Sequence, residues 1–510
     1  MSTPSLSDHA PAVLDDLLHA RAQEAPDSPA VQFADAWYSY GKLARRTERA
    51  AARLANEWGV RSGDRVAWLG FNHVDQLVLL FALGRLGAIL VPLNYRLAPA
   101  EWQAVLADCN PHCLAFDESW QSQAGELARS RALAAYSVES LIATPAPGPV
   151  VSVARPDSPV LLVYTSGTTG EPKGAAHTHA NLLANMLAAV SAQALSRDDT
   201  VLTVLPLFHV GGLCIQTLPA LMAGASVLLH PRFEPGATLA AIRDHRPTLT
   251  LQVPATMKAM IDHPDWPGTD FTTLRAVWAG SSVLPAALVD AFLQRGIAVC
   301  NVYGATETGP FSVALPPAQA ASHAGSCGWP ALGVEVRLAA SADGVGEVLL
   351  RSPAVVRHYW PDRPAVDAEG WFHSGDLARR AADGSYTIVG RAKDMIISGG
   401  ENIYPAEIEQ LLANHPMVAE CAIVGLPDAR WGEVLAAVVV LKGENCQYPA
   451  EKGDELLSFW ERELSDWLQQ RIARYKLPRR WIAVNALPRT ALGKVQKAVL
   501  MRQLVEGTAG

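Results

Sequence analysis

Between residues 164 and 174 the chain reads Tyr164-Thr165-Ser166-Gly167-Thr168-Thr169-Gly170-Glu171-Pro172-Lys173-Gly174, directly after the apolar run Leu161 to Val163. Glycines here let backbone amides close on an anion, the Ser and Thr hydroxyls donate to it, and Lys173 supplies positive charge, which together make a phosphate cradle. It is not a Walker A loop, because Lys173 follows Glu-Pro and precedes Gly rather than standing between Gly and Ser/Thr. The bland alternative is a solvated Ser/Thr/Gly turn. The density of hydroxyls and glycines behind a strand points instead to nucleotide handling, and the loop alone leaves the reaction open.

Further along, Asn301-Val302-Tyr303-Gly304-Ala305-Thr306-Glu307-Thr308 sets a ring, a hydroxyl and a carboxylate where a strand ends, the usual mouth of an α/β site. Then come Trp371-Phe372-His373-Ser374-Gly375-Asp376, Gly390-Arg391-Ala392-Lys393-Asp394, and Pro488-Arg489-Thr490-Ala491-Leu492-Gly493-Lys494-Val495-Gln496-Lys497. Taken singly, each has an ordinary reading: Asp376 as a turn acid, Glu307 as a surface acid, Arg391 and Lys494 as solvated charges. In this order, from the Tyr164 loop to Lys497, they resemble the AMP-forming acyl-CoA synthetases of the acyl-adenylate superfamily, which also holds aryl-CoA ligases, luciferases and adenylation domains.

The resemblance implies ATP, Mg2+ and coenzyme A as co-substrates and cofactor, and assigns roles position by position. Thr165, Ser166, Gly167, Thr168, Thr169 and Lys173 become the triphosphate loop. Tyr303 becomes the adenine-stacking ring with Gly304 beside it, Thr306 the α-phosphate hydroxyl, Glu307 the Mg2+ carboxylate, Asp376 and Arg391 the ribose contacts, Lys393 the hinge and Lys494 the catalytic lysine. The physical logic agrees: attack of a carboxylate on an α-phosphate brings two anions together, so the site must neutralise charge as the pentacoordinate centre develops.

His209, in Pro206-Leu207-Phe208-His209-Val210-Gly211-Gly212, stands in an uncharged stretch, where a lone histidine is more often a core or lining residue than a base. In the family this position borders the acyl pocket and moves between half-reactions, which implies substrate gating. For the second half-reaction, Ser398, Gly399 and Gly400 offer a small-residue loop for a narrow pantetheine passage. Arg471, Arg474, Lys476, Arg479 and Arg480, with Trp431 and Tyr475, could meet the CoA phosphates and adenine. Leu477 stands where some aryl-CoA ligases carry an arginine, and a basic helix end complementing its dipole is the competing account of this cluster.

The pocket candidates His209, Val210, Gly211, Leu251, Ala279, Val302, Gly304 and Gly309 are mostly small or apolar, which suits an alkyl or aryl body and disfavours a second carboxylate. Leu213 aligns with the tryptophan gate of some long-chain enzymes. The acid is therefore expected to be first a medium- or long-chain fatty acid, with an aromatic acid of benzoate or cinnamate type close behind. No carrier module with a pantetheine-attachment serine follows Lys494, which sets the expectation on CoA. The competing readings are an adenylating enzyme with a carrier-protein or other acceptor, and a catalytically dead nucleotide-binding regulator, against which Lys173, Glu307 and Lys494 stand together.

What must position these groups is a chain of 510 residues, 49% apolar and 18% charged, with a net charge of -8. That is the composition of an ordinary globular protein, and its acidic balance argues against nucleic acid as a partner. The seven cysteines are scattered and never form Cys-x-x-Cys, and no basic and apolar leader opens the chain, so reduced thiols and a cytoplasmic location are expected. Val201 to Leu229 is uncharged, but Pro206, Gly211, Gly212, Pro219 and Gly224 divide it into a loop, a short buried helix and a strand, so no transmembrane span is expected. A homodimer is left open.

Helical apolar patterns (DQLVLLFALGRLGAIL, NLLANMLAAVSAQAL, LPAALVDAFLQRG) alternate with short β-rich runs (LLVYTS, SVLLH, TLTLQVP, AVWAG, AVCNVYG). The fold class is α/β: a large N-terminal domain of several subdomains with parallel and mixed sheets, then a small mobile α+β C-terminal domain. Residues 125–157 are expected to form a Pro/Ala-rich surface connection. Boundaries are set at 1–389 for the large adenylate-forming domain, 390–394 for the hinge and 395–510 for the small domain. In the last, EIEQLLANHP and GDELLSFWERELSDWLQQRIA read as helices and ECAIVGL, LAAVVVLK and RWIAVN as strands.

Overall fold

The computed structural model describes residues 11–142, 148–166, 172–280, 284–339, 344–398, 401–428, 431–442, 454–490 and 493–507. Among these, two large sheets share one apolar core. The first runs, in spatial order, Trp329–Pro330, Val313–Ala314, Ala298–Tyr303, Ala276–Ala279, Leu249–Gln252, Thr200–Thr203, Ser226–Leu229, Pro29–Phe33 and Ala36–Ser39. Its interior strands are parallel and buried, and antiparallel neighbours close both edges. The second runs Arg363–Pro364, His358–Tyr359, Pro172–Thr178, Pro159–Ser166, Ile89–Pro92, Arg65–Leu69, Cys113–Phe116 and Ala134–Ser137.

Between the sheets lies Val74–Arg85, a helix whose residues from Val74 to Gly84 are all buried. A helix apolar on every side can only be an interior one. Its single acid, Asp75, is 1% exposed and accepts from Arg46 Nη2 at 2.7 Å. The apolar run that continues through Leu90 is not one helix, however. Gly87 turns with φ +64° and Ile89–Pro92 leaves as a parallel strand, because Gly takes a left-handed turn that ends a helix without a Cβ clash.

The uncharged stretch after Val201 resolves as expected into a strand, a loop, the π-helix Gly211–Thr217, the short helix Leu218–Ala223 and the strand Ser226–Leu229. Among the described residues no helix is long and apolar enough to cross a membrane. The stretch 125–157 is more ordered than the expected surface connection. It holds the end of helix Gln121–Arg131, strand Ala134–Ser137 and helix Val138–Leu141, with 143–147 outside the described residues. The six described cysteines are free, five of them buried, and burial pushes the Cys109, Cys113, Cys214, Cys300, Cys327 and Cys421 thiols up to about 12.

A four-stranded antiparallel sheet (Glu335–Ala339, Val345–Arg351, Phe372–Arg380, Tyr386–Arg391) leads to the last unit. There Gly432–Leu441 pairs antiparallel with Val418–Asp428 and parallel with Arg480–Ala483, and Pro405–Ala413 and Asp454–Gln469 form the helices read from the sequence. This unit has its own apolar core around Ile403, Ile408, Val439, Trp460 and Leu464, so it meets the physical criterion for a separate domain.

Candidate active site

The Thr165 loop leaves strand Pro159–Ser166 and returns as Pro172–Thr178, in an antiparallel pair that sets Thr165 opposite Lys173. Gly167, Thr168 and Thr169 lie outside the described residues, as does the Ser166 side chain. The returning strand runs into helix His179–Gln193 through a reciprocal cap: Asn181 N donates to Thr178 Oγ1 at 3.1 Å and Thr178 N donates to Asn181 Oδ1 at 3.0 Å. Asn181 Nδ2 also donates to Pro353 O at 2.7 Å, which fastens the 353–360 segment beside the loop.

Across the crevice, Tyr303 ends a parallel strand, and its hydroxyl donates to Asp376 Oδ2 at 2.9 Å. Arg391 Nε binds Asp376 Oδ1 at 2.7 Å. Asp376 is 7% exposed, and burial raises its pKa above the ordinary carboxylate value in spite of Arg391, Tyr303 and Lys494. Gly304 follows because nothing larger fits: a Cβ there would stand 2.3 Å from Pro310 O. Thr306 and Glu307 then occupy a single 3-10 turn, with Thr306 buried.

Glu307 is held from a direction the sequence did not reveal. Tyr359 donates its hydroxyl to Glu307 Oε1 at 2.8 Å, while Val356 N donates to the Glu307 carbonyl at 2.8 Å. Among the described residues its second carboxylate oxygen makes no hydrogen bond or ion pair. Among the described residues no three His, Cys, Asp or Glu side chains cluster as a cation cage. A lone carboxylate, with the remaining ligands coming from phosphates and water, is the donor set Mg2+ accepts and a Zn2+ site does not.

Lys494 reaches this crevice from the C-terminal unit. A tight turn presents it: Thr490 N donates to Lys494 O at 2.8 Å, and Gly493 takes φ +82°. The residue keeps solvent contact, yet protein crowds its ammonium. Burial and the Arg391 charge lower its pKa below the ordinary lysine range, against the opposing pull of Asp376 and Glu307. The structure thus brings Tyr303, Thr306, Glu307, Asp376, Arg391 and Lys494 to one crevice. Lys393 sits in the exposed 3-10 turn Ala392–Asp394 immediately after Arg391.

His209 is half-buried, and its Nδ1 accepts from Gly211 N at 3.0 Å. Burial, then the Lys494 and Arg96 charges, depress its pKa to about 4, so it is neutral at physiological pH. Val210, Leu213, Leu251, Ala279 and Val302 are all buried. Leu251 pairs with Trp278, and Gln252 with Ala279, so Leu251 and Ala279 leave opposite faces of their sheet and do not line one wall together. Gly309, at φ +59°, packs where a Cβ would meet Asn185 Cβ at 3.1 Å. Asn185 itself escaped the sequence reading: its Nδ2 donates to Cys214 O at 2.7 Å and its Oδ1 accepts from Phe311 N at 3.2 Å. That joins the His209 segment to the 304–311 loop. An amide inside the apolar pattern NLLANMLAAV was the available signal.

On the C-terminal unit, Ser398 is buried at a strand end, and Gly399 and Gly400 lie outside the described residues. Arg479 lies 4.4 Å from the Trp431 ring, and Tyr475 is exposed. Lys476 Nζ binds Glu407 Oε2 at 2.7 Å, so any anion there must share or displace that carboxylate.

Two buried histidines and the half-buried His209 bear on stability. His177, whose ring nitrogens make no well-formed hydrogen bond among the described residues, His179 and His209 are each lowered by burial to about 4 from 6.5. The unfolded chain therefore binds more protons than the folded one between these values. Their contribution to stability is complete above pH 6.5 and is lost as pH falls toward 4. His177→Leu, which cannot charge, should lose less stability than the wild type over that interval, as read by urea midpoints at stepped pH.

The family described as AMP-binding enzyme matches residues 18–360, and the AMP-binding enzyme C-terminal domain matches residues 407–494. An indoleacetate–CoA ligase of Aromatoleum aromaticum is 42% identical over 94% of this chain and 96% of its own length. A feruloyl-CoA synthase of an Amycolatopsis species is 41% identical over 95% of this chain and 97% of its own. Among solved structures, the O-succinylbenzoate coenzyme A synthetase of Bacillus subtilis in complex with ATP and magnesium ion superposes with a TM-score of 0.81 at 29% identity, covering 94% of this chain and 98% of that one.

Proposed function

Because the chain belongs to the AMP-binding enzyme family, we propose that it is an ATP-dependent ligase that joins an aromatic carboxylic acid to coenzyme A. The reaction class is that of an AMP-forming acid–thiol ligase: a carboxylate and ATP give an acyl-adenylate and pyrophosphate, and the CoA thiol then displaces AMP. The observation that supports the reading is that Lys494, on the C-terminal unit, lies within electrostatic reach of Asp376, Glu307 and Arg391, with Arg391 Nε paired to Asp376 Oδ1 at 2.7 Å.

In this reading Asp376 holds the ribose with Arg391 beside it, Tyr303 stacks on adenine, and Thr306 donates to the α-phosphate. Lys173 and its loop take the triphosphate. Lys494 neutralises the carboxylate and phosphate oxygens as they approach, from a low-dielectric crevice where such charge counts most. Glu307 would hold Mg2+ together with ATP, and the ion would supply positive charge to offset that of the phosphates. His209 is neutral and donates no charge, so its part is to wall the acyl channel. Residues 390–394 act as the hinge about Lys393, turning the C-terminal unit so that Ser398, Trp431 and the basic residues near Tyr475 replace Lys494 for the thiol step. Burial of the free thiols supports a cytoplasmic location.

The sequence reading ranks fatty acids first and aromatic acids close behind; the two relatives above, both named for aromatic acids, support reversing that order. Small, uncharged walls at Val210, Leu251, Val302 and Gly304 suit a planar ring. The test is CoA-dependent AMP release from purified protein across acetate, fatty acids, benzoates, cinnamates and indoleacetate. The expected result is a kcat/KM at least about tenfold higher for an aromatic acid than for any fatty acid, the size of step that pocket fit ordinarily gives. A fatty-acid preference sinks the substrate assignment. Adenylate that CoA fails to discharge would move the acceptor to a carrier-protein thiol.

A further inference from the structure

Lys173 and Glu307 face the same crevice with opposite charges, and in a partly buried site such a pair would ordinarily close on itself. It does not: among the described residues Lys173 makes no ion pair and lies instead over the Tyr359 ring, and Glu307 accepts from the Tyr359 hydroxyl. Tyr359 stands between them. Its ring lies 5.7 Å from Lys173 Nζ, and its hydroxyl is 2.8 Å from Glu307 Oε1. Its place is fixed by the backbone. His358–Tyr359 adds as a strand to Pro172–Thr178, with Tyr359 opposite Ala175 and Trp360 N donating to Gly174 O at 2.7 Å. Three residues upstream, Val356 N holds the Glu307 carbonyl.

We infer that Tyr359 is a positioning residue that keeps the cation-binding carboxylate of Glu307 apart from Lys173, so that both charges are free for the metal–nucleotide complex. The inference rests on the reading of Glu307 as the Mg2+ carboxylate. One Glu307 oxygen is occupied by a neutral donor, and the other, which makes no hydrogen bond among the described residues, is left for the cation. The aromatic face holds the ammonium at a distance by a contact weaker than an ion pair, and therefore readily exchanged for a phosphate. Without the hydroxyl, Glu307 is free to swing to Lys173, and binding ATP with its metal must first break that pair.

Tyr359→Phe keeps the ring and removes the hydrogen bond. The expected result is a KM for the metal–ATP complex raised about tenfold, the usual weight of one hydrogen bond to a charged group, with the KM for the acid and the melting temperature nearly unchanged. Mn2+ serves as the probe: its binding to the enzyme–ATP complex, read by electron paramagnetic resonance without turnover, should weaken by a similar factor. In a Glu307→Gln background, where there is no carboxylate to release, Tyr359→Phe should change Mn2+ binding less than about twofold. Equal effects of Tyr359→Phe in both backgrounds, or none in either while Glu307→Gln alone weakens Mn2+ binding, overturn the spacer role. Unaltered Mn2+ binding in Glu307→Gln overturns the metal reading itself, and the spacer role with it.

Discussion

Lys494→Ala should cut acyl-adenylate formation by about 10²- to 10³-fold, the range for removing one preorganised charge from a transition state, while thioesterification of a supplied acyl-adenylate stays within a few-fold of wild type. The reason lies in where the residue comes from. Its ammonium is felt electrostatically by Asp376 and His209, yet it is carried by a turn of the C-terminal unit, so the rotation proposed to admit CoA would withdraw it. Adenylation is measured as pyrophosphate exchange into ATP, and the second step as CoA-dependent discharge of synthetic adenylate. Equal loss in both assays from a folded variant would mean that Lys494 serves the whole cycle and that the division of roles is wrong. The charged form is the active one, and burial lowers its pKa from 10.5. Wild-type adenylation should therefore decline with rising pH at a midpoint below that value, and the residual rate of the alanine variant should not.

The sequence made the chemistry legible where one local segment carries several functional groups at once. The Thr165–Lys173 loop, the Tyr303–Glu307 turn and the Lys494 turn each announce themselves by composition; the first connects two antiparallel strands, and the second stands at the end of a buried strand as a parallel sheet requires. The alternating helices and strands followed from periodicity for the same reason: both faces of each interior strand are covered, so the runs are continuous and short. Periodicity failed at DQLVLLFALGRLGAIL, where a fully buried helix and a fully buried strand look alike, and only Gly87 marks the change.

What stayed hidden depends on pairs distant in the chain. Tyr359 meets Glu307 across 52 positions because a two-residue strand adds to Pro172–Thr178, and no local pattern encodes that addition. Asn185 links Cys214 to Phe311 across 126 positions on the farther side. Burial at the crevice was equally unreadable: Asp376 looks like a turn acid in Ser374-Gly375-Asp376, and only the sheet pairing with Arg391 makes it a 7% exposed carboxylate.

That burial makes Asp376 the second position of large effect. Asp376→Ala should lower kcat/KM for ATP by about 100-fold, through KM, and leave the KM for the acid within about twofold; the size follows from losing charge-assisted hydrogen bonds at a desolvated wall. The alanine leaves the Arg391 guanidinium and the Tyr303 hydroxyl without the acceptor both now use, and removing one partner of a buried pair costs stability as well as binding. Asp376→Asn separates the two effects. It keeps an oxygen that can accept from Tyr303 and loses the negative charge facing Arg391, so melting should recover most of the way while ATP binding recovers only in part. Calorimetric titration with ATP, alongside thermal denaturation of each variant, reads both quantities on the same samples. If Asp376→Asn binds ATP as tightly as wild type, the carboxylate positions Tyr303 and Arg391 only, and the ribose is held by other groups. If Asp376→Ala is folded and its KM for ATP is unmoved, the crevice between Tyr303 and Arg391 is not where the nucleotide sits, and the arrangement that Lys494 completes would need another substrate.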